Sequence, residues 1–166
     1  VLSHVKKTRA VYFGTLPDAM LHDRKQLTDE LRKHKVMIYT NVGPADCCKP
    51  KKYRAELVQT TDALIVNTHE LADLVGVKVE KINFHKNVVH EYPILKDKLV
   101  VVTAGKEGSF AYDGERVYFQ KIIREKKIVD TTGVVDGYTA GFISSYLKHE
   151  NIQSAMKAGS RYASKI

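Results

Sequence analysis

Asp130-Thr-Thr-Gly-Val-Val-Asp136 holds the residue types best suited to chemistry in this chain. A Thr-Thr-Gly turn leads into a helical pattern with an aspartate in its first turn. Free backbone N–H groups and the positive end of a helix dipole then meet at one point. Such a point binds phosphate, or the charge that develops on a phosphoryl group in transfer. An aspartate beside it can accept a proton from an attacking hydroxyl. The same residues fit a purely structural reading, with Asp130 or Thr132 capping the helix and Asp136 favouring its positive end. Residue types alone divide evenly between the two. Two further segments, Asn67-Thr-His-Glu70 and Thr103-Ala-Gly-Lys-Glu-Gly108, also place polar residues directly after apolar runs.

The elements that must position these segments read as an alternation. Short apolar runs at 10–13, 36–39, 63–66 and 99–103 are expected as buried strands. Helices are expected over 20–34, with Met20, Leu27 and Leu31 on one face, and near 53–59. Another is expected over 70–75, capped by Gly76, and a last one after Asn151. In the helix after Gly133, the residues Val135, Tyr138, Phe142 and Tyr146 form one stripe, with Thr139, Ile143 and Leu147 beside it. Residues 109–112 and 116–119 alternate around Asp113-Gly114, a hairpin signal. Residues 77–98 read as one irregular helix with loops, and 121–129 as extended chain. Apolar strands alternating with helices predict one α/β domain over 1–166: a mostly parallel sheet, helices on both faces, and an edge hairpin. In such folds ligands bind at the carboxyl ends of the strands, where all three polar segments fall.

Charge and composition narrow the classes. Lys and Arg number 27 against 19 Asp and Glu, a net +8 that attracts anions of many kinds. The basic residues are scattered, with no zinc-finger spacing and no basic helix interleaved with aromatics, so no nucleic-acid partner is expected. No run approaches the roughly 18 apolar residues of a membrane span, and the first residues lack a signal-peptide pattern. The lone pair Cys47-Cys48 makes no disulfide framework, which fits the cytoplasm. His85 and His90 are five apart, off one helical face, and no metal pair is expected there. His69, Lys106, Tyr112 and Tyr118 read as open, exposed or packing positions. The chain starts at Val1 and ends within a helical pattern, so it is expected to belong to a longer protein.

DTTGVVDGYTAGF resembles the C-terminal signature D-T-x-G-A-G-D-[AS]-[FY] of the ribokinase (PfkB) family of sugar and nucleoside kinases. DALIVNTHELADLVG resembles the family's strand followed by N-x-x-E, and VVVTAGKEGSFAYDG its T-x-G-x-x-G strand and hairpin. The resemblance runs in order from about Ala10 to the end. It implies a ribokinase-like three-layer sandwich whose N-terminal half and lid are absent from these residues. It also implies ATP with Mg²⁺ as cofactor, a sugar or nucleoside as acceptor, and a homodimer. By the same resemblance, Asp136 is the base and Gly133 with the N–H groups of Val134 and Val135 is the anion hole. Asn67 and Glu70 organise Mg²⁺ through its waters, and Thr103, Gly105 and Gly108 hold the nucleotide. Asp130 and Thr132 match positions lining a monovalent-cation site, with K⁺ as the ion implied. Val134 and Val135 depart from the family's Ala-Gly. That departure supports an alternative, a catalytically weakened relative that binds nucleotide or a phosphorylated ligand without efficient transfer.

Overall fold

The computed structural model describes residues 7–14, 21–123 and 133–166. Six strands form one sheet in chain order: β1 (Ala10–Phe13), β2 (Met37–Thr40), β3 (Ala63–Asn67), β4 (Leu99–Thr103), β5 (Ser109–Tyr112) and β6 (Val117–Gln120). β1 to β4 pair in parallel, whereas β5 and β6 close the edge as an antiparallel hairpin. The helices are α1 (Leu21–Lys33), α2 (Pro44–Cys47), α3 (Lys51–Gln59), α4 (Thr68–Val75), α5 (Val88–Glu91), α6 (Val134–His149) and α7 (Ile152–Ala163). Strands that advance steadily in one direction, joined by right-handed crossovers, put every crossover helix on the same face. Accordingly α3, α4 and α5 bury Leu57, Leu71 and Val88 against Leu64, Val66, Val100, Val102 and Phe110. α1 joins that face through Leu31, packed with Phe13, Val36 and Ile38. α6 and α7 follow the hairpin and cover the other face, packing Phe142 and Met156 on Tyr39, Ile65, Val101 and Ala111.

Strand periodicity accounts for this division, since alternate residues point to opposite faces. Val100, Val101 and Val102 are all fully buried because both faces of β4 are covered. At roughly 1.5–3 kcal/mol per buried aliphatic side chain, β4 anchors the sheet.

Three expectations change. Run 10–13 is not a buried strand: among the described residues β1 has one sheet neighbour, only Phe13 of its residues is buried, and Tyr12 is 39% exposed. The 77–98 stretch is not one helix but 3₁₀ turns at Val79–Lys81 and Pro93–Leu95 with α5 between them. Asn83 and Asn87 explain part of this, because their side chains accept from the N–H groups of His85 and Val89 and compete with helical bonding. Pro93 disfavours helix in the residue before it. Val135 leaves the apolar stripe of α6 and is 44% exposed, whereas Tyr138 and Phe142 are buried. Its place in the first turn sets it beyond the edge of the sheet. Met20 and residues 124–132 lie outside the described residues.

Candidate active site at the carboxyl edge

The register of β3 against β4 sets Asn67 beside Thr103 at the carboxyl edge. Asn67 caps α4 in a closed capping box: its Oδ1 accepts from the Glu70 N–H at 2.9 Å, and Glu70 Oε2 accepts from the Asn67 N–H at 2.8 Å. Asn41, just past β2, adds a third link. Its Nδ2 donates to Glu70 Oε2 at 3.0 Å and to the Ile65 carbonyl at 3.1 Å. The carboxylate of Glu70 is therefore held through one oxygen, and among the described residues Oε1 takes no hydrogen bond. An oriented carboxylate with a spare oxygen suits a hydrated cation. Among the described residues no cluster of three or more His, Cys, Asp or Glu could cage one. That pattern fits Mg²⁺, which keeps several waters and binds through one or two carboxylates together with substrate phosphates.

Beyond Thr103 the chain turns back into β5. Ala104 N–H donates to the Gly108 carbonyl at 2.8 Å, and Gly108 N–H to the Gly105 carbonyl at 3.2 Å. Gly108 has φ 117°, and a Cβ on it would lie 2.1 Å from the Gln120 carbonyl oxygen. Only glycine fits, since the returning β6 backbone occupies the space of a side chain.

α6 opens differently. Gly133, with φ 80°, occupies its N-cap and supplies no capping side chain. No side chain of the described residues accepts from the N–H groups of Val134, Val135 or Asp136. Asp136 stands exposed in the first turn. The left-handed conformation falls on Gly133, and both valines lie inside the helix, a region they adopt without strain. Asp130 and Thr132 lie outside the described residues. Two residues past Asp136, Tyr138 donates to Ser109 Oγ at 2.8 Å, tying α6 to the residue after Gly108. Burial pushes the Tyr138 hydroxyl up to about 12 despite this bond.

Sequence reasoning missed three residues at this edge. Tyr12 on β1 has its pKa raised by burial and then by the negative charges of Asp136 and Glu70. Thr139 lies close enough to the Tyr12 hydroxyl to offset part of that rise, although its Oγ1 is buried without a partner at hydrogen-bonding distance. Asn41 is the second. Arg24 is the third: it lies over the Phe13 ring at 4.9 Å and donates to Thr40 Oγ1 at 3.2 Å. Burial holds its pKa down against the opposing pull of Asp46. Adjacent strand ends could have flagged Asn41, which precedes a Gly-Pro turn. Tyr12 and Arg24 carry no local signal. His69 and Lys106 are exposed, and His85 lies edge-on to Phe110 at 5.2 Å as a packing residue.

The family model of pfkB family carbohydrate kinases matches residues 1–166. The chain belongs to the PfkB family. Among similar proteins, the ribokinase of Arabidopsis thaliana is 29% identical over 140 residues, covering 84% of this chain and 36% of that protein. The nucleoside kinase of Methanocaldococcus jannaschii is 30% identical over 114 residues, covering 69% of this chain and 35% of that protein. In solved structures, Arabidopsis thaliana ribokinase complexed with ribose and ATP superposes with a TM-score of 0.81 at 26% identity, over 98% of this chain and 51% of that one. The adenosine kinase of Trypanosoma brucei brucei, 20% identical with a TM-score of 0.81 over 99% of this chain and 53% of that one, shares the fold. The PfkB chain described here thus spans about a third of its curated relatives and about half of these solved chains. Among its described residues no helix is long and apolar enough to cross a membrane.

Proposed function

We propose that this PfkB chain is the nucleotide-binding and catalytic unit of a kinase that moves the γ-phosphoryl group of ATP to a hydroxyl of a sugar or nucleoside. Asp136 takes the proton of the attacking hydroxyl. Gly133 and the N–H groups of Val134 and Val135 hold the charge that builds on the phosphoryl oxygens. Thr103, Gly105 and Gly108 receive the nucleotide. Asn67 and Glu70 would hold Mg²⁺ through its waters, and the ion supplies charge neutralisation of the phosphates. Asp130 and Thr132 are assigned to a monovalent-cation site by family resemblance alone. The protein's share is positioning and electrostatics rather than covalent chemistry.

The observation that supports this most is the start of α6, which no described side chain caps, with Asp136 in its first turn, tied by Tyr138 to the turn that ends at Gly108. A helix start without a capping side chain leaves N–H groups for a ligand, and here a carboxylate stands beside them. The family's relatives include ribokinases and nucleoside kinases, which directs the acceptor class toward sugars and nucleosides. The valines give no reason to favour a weakened enzyme, since they sit at helical positions. The reading carries with it a cytoplasmic location and a homodimer, for which cell fractionation and sedimentation are the tests.

The decisive experiment measures ADP release by the full natural protein across a panel of sugars and nucleosides. Acceptor-dependent release is expected, and Asp136→Asn should lower it by about 10²- to 10⁴-fold, the range for a general base. Release indifferent to Asp136, or none on any acceptor, overturns the proposal.

A further inference from the structure

A second basic site lies at the far end of α4 from Glu70. A cavity of about 610 Å³ opens between α2, α3, the last turn of α4 and the segment that follows it. This is within the usual range for small-molecule sites. Its charged lining is Arg54, Lys78 and Lys81 against the single carboxylate of Asp73. Pro44, Ala72 and Val77 line it together with Cys47, Cys48 and Gly76.

Arg54 is the residue that gives this cavity a chemistry. Its Nη1 donates to the carbonyls of Asp73 and Leu74, the latter at 2.8 Å, and so caps the C-terminus of α4. That capping neutralises the negative end of the helix, which would otherwise repel an anion. It also fixes the guanidinium plane. Among the described residues nothing pairs with the rest of the fork: Nε is buried without a hydrogen-bond partner, and Nη2 has none. A cap needs one nitrogen, and a lysine would serve. Nε is closed to solvent, so the donor an anion can reach is Nη2, a fixed cationic N–H group of the kind that binds phosphate oxygens strongly.

We propose that this cavity is a second anion site, distinct from the start of α6. It takes the phosphate group of a small phosphorylated metabolite on Nη2 of Arg54. Lys78 and Lys81 balance the charge, and Pro44, Ala72 and Val77 receive the carbon skeleton. The site faces the back of the metal-organising helix: Cys47, also in the lining, donates its thiol to the Glu70 carbonyl at 3.8 Å.

The test is a titration of the ¹⁵N-labelled chain with inorganic phosphate, matched in ionic strength by a chloride titration, read by amide and Arg Nε–H resonances. Saturable shifts are expected at Gly76, Val77 and the Arg54 Nε–H, with no saturation in chloride. The half-saturating phosphate concentration should rise at least 10-fold in Lys78→Gln/Lys81→Gln, two exposed positions whose replacement leaves the fold intact. It should rise similarly in Arg54→Lys, which keeps the charge and the helix cap but removes the fork. Shifts confined to Gly105–Gly108 and Gly133–Val135, equal response to chloride, or an unchanged midpoint in the double variant would each overturn the proposal. Resonances at the two sites are separate, so failure here leaves the assignment of Asp136 standing and the converse also holds.

Discussion

Two helices, α4 and α6, start at the same edge of the sheet, and the contrast between them is instructive. α4 is self-sufficient: Asn67 and Glu70 satisfy each other's backbone, and Asn41 locks the carboxylate from the side. Its ligand-facing asset is one spare carboxylate oxygen on a rigid mount. α6 starts on a glycine in the left-handed region, so its asset is backbone N–H groups that no described side chain claims. One start presents a fixed negative charge and the other a partial positive charge. A metal-bound polyphosphate requires both poles, a few residues apart in space. The difference follows from single residues at the N-cap, asparagine in one case and glycine in the other.

Exchanging those residues should break the contrast. Gly133→Ala forces a Cβ into a left-handed backbone, at about 1–2 kcal/mol, and displaces the N–H groups of Val134 and Val135. Turnover is expected to fall by at least 10²-fold with a modest drop in Tm, the range for losing one oxyanion donor. Unchanged turnover would show that α6 contributes no anion site. Gly108→Ala tests the neighbouring turn and should be the costlier change in stability, because its Cβ collides with the Gln120 carbonyl rather than with a movable side chain. A loss of about 3 kcal/mol in chemical denaturation is expected.

Asn67→Ala attacks the self-sufficient start. Loss of the cap should destabilise the fold by about 1 kcal/mol. It should also raise the Mg²⁺ concentration needed for half-maximal activity, because Glu70 is released. If Tm falls while the Mg²⁺ dependence holds, α4 is only structural.

Tyr138→Phe cuts the tether between α6 and the Gly108 turn, at about 1 kcal/mol near neutral pH. Its pH signature is separate. The folded Tyr138 hydroxyl titrates near 12 and the unfolded one near 10, so below pH 10 both states keep the proton and nothing is lost. Between 10 and 12 the unfolded state releases it first, and stability falls as pH rises. The phenylalanine variant should show a shallower decline across that window in denaturant titrations. A decline as steep as in the parent would remove Tyr138 as its source. The smallest effect expected is from Val135→Gly, under about 0.5 kcal/mol in stability and within a few-fold in turnover, since valine is already unstrained there. A large gain in turnover would instead mark the valine as obstructive.

By itself the sequence determined the sheet and the order of its parts. Four apolar runs, a DG hairpin and the helix pattern between them specify a mostly parallel sheet, because periodicity and turn chemistry are local. The motif segments were legible for the same reason: the N-x-x-E segment, the glycine turn and the helix-start aspartate are each contiguous, whereas the capping box between Asn67 and Glu70 came from the structure. The stretch after Val77 misread as helix because Asn83, Asn87 and Pro93 act through side chains and φ restriction rather than periodicity.

Only the tertiary structure decided what crosses between strands. Asn41 reaches Glu70 over 29 positions, Tyr138 reaches Ser109 over 29, and the Tyr12 hydroxyl feels the charge of two acids on separate helices. It also decided that the left-handed residue of the third motif is Gly133, which frees Val135 from blame, and that Arg54 spends one edge on α4 and leaves the other unpaired. Such facts depend on which backbones are adjacent and on which donors are already satisfied. Linear spacing carries neither kind of information.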